Sequence, residues 1–115
     1  MQINNVELED IDILDADVAE KYENVLENIS NIAEKVKGMK SSQSIRFQCN
    51  AIFNVFNTLF GEDTDKKIFG EKVNLLICLK ALEELITVVN SKKEEVQKLF
   101  NKYSPNRAQK RASSK

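Results

Sequence analysis

The groups with chemical capacity in this chain are carboxylates, amines and two thiols, because histidine is absent. That absence removes Ser-His-Asp triads, Cys-His dyads and imidazole-ligated metals. Cys49 and Cys78 are too few for a four-thiolate zinc site or a disulfide scaffold, and read as reduced, buried small hydrophobes. Asp10, Asp12, Asp15 and Asp17 are the best-spaced carboxylates for a divalent cation or for acid–base work. They lack the glycine and the closing bidentate glutamate of a calcium loop, so a solvated acidic face ending in a helix cap accounts for them. Asp63-Thr64-Asp65 reads the same way. No phosphate-cradling, dinucleotide-binding, CxxC or nucleophile-elbow pattern occurs. The expectation is therefore a binding protein, not an enzyme, with no catalytic residue, cofactor or metal.

The remaining chemistry is that of contact surfaces. Five of the six phenylalanines fall between residues 47 and 69. Phe53, Phe56 and Phe60 share one helical face and read as core. Phe47 and Val55 fall off that face and are candidates for an exposed, partner-binding patch. Phe100 and Tyr103, with Val96, form a second seam that needs a partner. Arg107, Lys110 and Arg111 make the end of the chain basic, without the interleaved aromatics that stack on bases, so nucleic acid is not the expected ligand. They read as a solvated tail or as a tether for an acidic protein surface.

The elements that must position these residues are helices. Ile3, Val6 and Leu8 around Asn4-Asn5 predict a short N-terminal strand or hairpin within residues 1–14. Asp15 is placed to cap a first helix over residues 16–37, whose apolar series Val18, Tyr22, Val25, Ile29, Ile32, Val36 steps by four and three up to Gly38. A second helix runs from Ser41 to about Phe60 on Ile45, Cys49, Ile52, Phe56 and Leu59, and Gly61 stops it. A short turn capped by Asp63 ends at Gly70. A third helix, from near Glu71 to Tyr103, uses Leu75, Leu79, Leu82, Ile86 and Val89, with a polar stretch at residues 90–95 that is either a bend or an exposed turn. The fold class is mainly α: a small antiparallel helical bundle of three main helices over residues 15–103, followed by a disordered basic tail, 104–115.

With 115 residues there is room for one domain with a thin core, so a homo-oligomer is expected. No run of about 20 apolar residues occurs, and the first residues lack the basic and apolar regions of a secretory signal; the expected compartment is the cytoplasm, with no membrane contact. The net charge of −1 conceals a separation. Residues 1–40 carry 10 acids against 4 bases, and residues 41–115 carry 8 acids against 13 bases.

Three segments carry a resemblance: Val6-Glu7-Leu8-Glu9-Asp10-Ile11-Asp12-Ile13-Leu14-Asp15-Ala16, then Phe60-Gly61-Glu62-Asp63 with Lys66-Lys67-Ile68-Phe69-Gly70, and Tyr103-Ser104-Pro105-Asn106-Arg107-Ala108-Gln109-Lys110-Arg111. Together they resemble a family of small proteins of tailed phages and prophages of Gram-positive bacteria. The size and helical build are similar to phage tail assembly chaperones. That resemblance implies a cytoplasmic assembly factor of the bacterial host that coats hydrophobic segments of the tape measure protein and recruits tail tube subunits. Two other roles fit the residues: a phage-encoded inhibitor that binds a host protein through the acidic N-terminal region, and a structural virion component.

Overall fold

The computed structural model describes residues 1–103. The chain opens with a two-stranded antiparallel hairpin, β1 (Gln2–Ile3) and β2 (Val6–Glu7), in which Ile3 pairs with Val6. Asn4 and Asn5 form its turn at φ 52° and 64°, a pair of left-handed positions that asparagine tolerates better than most residues. An irregular strap, residues 8–15, follows and buries Leu8, Ile11 and Ile13. Five helices complete the described chain: α1 (Ala16–Ser30), α2 (Ile32–Lys35), α3 (Ser41–Phe60), α4 (Thr64–Phe69) and α5 (Leu75–Lys102). The mainly helical bundle with an N-terminal hairpin, expected from the sequence, is therefore present.

Asp15 caps α1 as its spacing predicts, its carboxylate accepting from the amides of Asp17 at 2.9 Å and Val18 at 3.3 Å. The first helix does not run unbroken to residue 37. The Ser30 hydroxyl donates to the Glu27 carbonyl at 2.7 Å, a back-bond that bends helices, and Asn31 at φ −93°, ψ 4° separates α1 from α2. Gly38, at φ 80°, then turns the chain.

Asp63 precedes α4, but its side chain caps nothing. It occupies a left-handed conformation, φ 68°. The cap comes from α3: Asn57 Oδ1 accepts from the Asp65 amide at 3.0 Å. The Thr64 hydroxyl donates to the Gly61 carbonyl at 2.7 Å, which satisfies the one buried polar residue among the described residues.

The core is a single cluster centred on Phe56, Ile52, Val55, Leu85, Val89 and the two cysteines. α4 closes one side of it: Phe69 lies 5.2 Å from Phe53 and 5.9 Å, edge-on, from Phe56. α1 packs antiparallel to α3, bringing Val18 beside Leu59. The connection to α5 refines the expected bundle. α4 and residues 70–74 carry the chain back, so that Val73 lies beside Ser42, Ile45 and Arg46 and Cys78 reaches Cys49. α5 therefore runs in the same direction as α3. It also starts later than the apolar series suggests: Asn74 is its cap, with Oδ1 accepting from the Ile77 amide at 3.1 Å. Its buried face is Cys78, Ala81, Leu82, Leu85 and Val89, whereas Leu79 is exposed.

Candidate functional site

Helix length creates the most distinctive surface. At 1.5 Å per residue, α5, with 28 residues, is about 42 Å long and α3, with 20, about 30 Å. Because both helices start at the same end of the bundle, α5 overruns α3. Its last buried residue is Val89. Two lysines tie it down just beyond: Lys92 Nζ donates to the Ile11 carbonyl at 3.1 Å, and Lys93 Nζ lies 5.7 Å from the centre of the Tyr22 ring. Every residue from 93 to 103 is exposed. The polar stretch at residues 90–95 is thus an exposed turn of an unbroken helix, and residues 93–103 form a projecting arm.

The arm carries an apolar stripe. Val96, Leu99, Phe100 and Tyr103 recur at helical spacing and are 37%, 54%, 51% and 75% exposed. They continue the side of α5 that Cys78, Leu82, Leu85 and Val89 bury within the bundle. In the body of the protein that side is covered by α3 and the strap. On the arm it faces outward.

At the arm's base is a cavity of about 300 Å³ lined by Asp10, Ile11, Asp12, Ile13, Leu14, Lys92 and Glu95. Leu14 is 59% exposed on its rim. A neighbouring cleft of about 350 Å³ has Glu7, Glu9, Asp10, Asp12 and Lys67 around an apolar floor that includes Val18, Leu59 and Phe60. Its acidity is partly spent inside the chain. The Met1 ammonium donates to Glu7 Oε2 at 2.8 Å, Asp10 Oδ1 at 3.0 Å and the Leu8 carbonyl at 3.0 Å. Glu7 and then Asp10 raise the ammonium above its ordinary pKa, and the ammonium holds Asp10 below the usual carboxylate value. Among the described residues no group of three or more acids or thiols is placed to hold a metal ion.

The residues singled out from the sequence separate into three sets. Phe100 and Tyr103 lie together on the arm. Phe47 is 37% exposed on α3, apart from the arm. Val55 is corrected: it is 1% exposed, because α3 is packed by α1, α4 and α5 on different sides and has no spare face there. Arg107, Lys110, Arg111 and the predicted disordered tail lie outside the described residues. Sequence reasoning passed over Leu99 and Leu14. Leu99 was legible, standing three residues after Val96 and four before Tyr103. Leu14 carried no signal, because it continues the apolar series of the strap.

Burial pushes the Cys78 thiol up to about 12, with Cys49 beside it adding to the effect. Both thiols are fully buried, as expected. Among the described residues no helix is long and apolar enough to cross a membrane.

The chain belongs to a family of unknown function, DUF6673, whose pattern matches residues 4–114. No curated protein and no solved structure matches it.

Proposed function

We propose that this member of the DUF6673 family works by binding rather than catalysis, as a phage tail assembly chaperone-like protein that holds hydrophobic segments of a tape measure protein. The observation that supports a binding role is the arm: a helix that leaves its own core while keeping the apolar side that faced it. Exposed apolar stripes of this kind receive amphipathic helices from other chains, read at positions i, i+3, i+4 and i+7. Val96, Leu99, Phe100 and Tyr103 have that spacing. The choice of client rests on the sequence resemblance, as do recruitment of the tail tube protein and action in the host cytoplasm. Arg107, Lys110 and Arg111 would follow the arm as a basic tether for an acidic client surface.

The acidic region supports the inhibitor reading less well, since Glu7 and Asp10 are already engaged by the chain's own ammonium. The deciding experiment is co-expression with the tape measure protein. The expected result is a soluble complex that co-purifies and is lost in the double variant Leu99→Glu, Tyr103→Glu. A client that is equally soluble without this chain overturns the reading.

A further inference from the structure

We propose that the arm pairs with the arm of a second copy of this chain, antiparallel, so that Tyr103 at each tip seats in the cavity beside Leu14 at the other's base. The inference needs only that the arm is a binding surface. It deepens the reading above by naming what occupies that surface when no client is present.

Four observations select a second copy. The first is continuity. The exposed stripe lies on the side of α5 that α3 covers in the body, so a helix lying beyond the end of α3 would continue that cover. A second arm is such a helix, and it exposes the same apolar side.

The second is length. From Lys92 to Tyr103 the arm spans about 16 Å. Two antiparallel arms of equal length therefore bring each tip to the other's base, where Ile11, Ile13 and the exposed Leu14 line the cavity of about 300 Å³.

The third is charge. The tip carries Lys98 and Lys102, both exposed; at the base Asp12 and Glu95 are exposed, with Asp10 held by the Met1 ammonium and Lys92 donating to the Ile11 carbonyl. Antiparallel pairing sets each basic tip against an acidic base, whereas parallel pairing sets lysine against lysine.

The fourth is area. Val96, Leu99, Phe100 and Tyr103 from two arms, with Leu14 at each base, bring the shared surface to roughly the 1,000 Å² at which specific association begins. A pair of that size is reversible, which leaves the stripe available to a client that binds more tightly. The arrangement is isologous, so it closes at two copies.

The test uses the full chain alone, without client. Sedimentation should give a dimer that dissociates on dilution. Leu99→Glu should abolish it at concentrations where the parent chain is dimeric, with an unchanged circular dichroism spectrum. Lys98→Glu with Lys102→Glu should weaken it, and adding Asp12→Lys with Glu95→Lys should restore it. Geometry is read by cross-linking under mild oxidation. Leu14→Cys mixed with Tyr103→Cys should give a product of doubled mass that neither variant gives alone. A parent chain that is monomeric throughout, a dimer indifferent to Leu99→Glu, or cross-linking of Tyr103→Cys with itself each overturns the proposal. Because no client is present, these outcomes are independent of the chaperone reading: a dimer can form where no tape measure protein binds, and the reverse.

Discussion

Two residues compete for the role of capping α4, and replacing each in turn decides between them. Sequence position favours Asp63, immediately before the helix. The structure gives the role to Asn57, six residues earlier on α3, whose Oδ1 accepts from the Asp65 amide at 3.0 Å. Removing that acceptor with Asn57→Ala loses a partly buried hydrogen bond, worth about 1.5 kcal/mol as a cap. Alanine returns roughly 0.5 kcal/mol through its better helix propensity within α3. The net cost is about 1 kcal/mol, or a fall of about 4–8 °C in Tm for a domain near 100 residues. Asn57→Asp keeps the acceptor and should stay close to the parent. Asp63→Gly should be neutral or slightly stabilising. It loses only an exposed ion pair with Lys66 at 3.6 Å, and glycine adopts φ 68° without strain. Thermal denaturation of the four proteins measures this directly. Hydrogen exchange should further place the Asn57→Ala loss in α4, whose Ile68 and Phe69 are buried. If Asp63→Gly is the damaging change and Asn57→Ala is silent, the capping assignment is refuted.

Other outcomes follow from the same packing. Val55→Ala should cost roughly 2 kcal/mol, from two buried methyl groups and the cavity they leave, whereas Tyr103→Ala should shift stability by less than about 0.5 kcal/mol; urea titration separates two residues that look alike in sequence. Cys49 and Cys78 should resist a thiol reagent in the native protein and react fully once it is unfolded, since both are buried and the Cys78 thiol is pushed up to about 12. The Met1 cluster should make stability depend on pH at both ends. Asp10 is lowered from 3.8, so its contribution is present above that value and lost as pH falls through its folded pKa. The ammonium is raised from 8.0, so its contribution is present below 8.0 and lost as pH rises through its folded pKa. Denaturant titrations across pH should show the plateau, and Asp10→Asn should flatten the acid limb.

What could be read from sequence alone was what neighbours along the chain determine. Asp15 caps α1, Asn4-Asn5 makes a turn and Gly38 leaves a helix because each acts on amides or dihedrals within a few residues. The spacing of apolar residues fixed the main helices for the same reason, and composition alone removed imidazole chemistry. Tertiary structure decided the rest, because burial depends on what packs against a face and not on its periodicity. Val55 is in the core because three helices surround α3. The Asn57 cap needs α4 folded back onto α3. The arm exists because that fold-back starts α5 level with α3 and the longer helix outruns its cover. The spacing of Val96, Leu99, Phe100 and Tyr103 is written in the sequence; that the stripe faces outward is a consequence of where α3 stops.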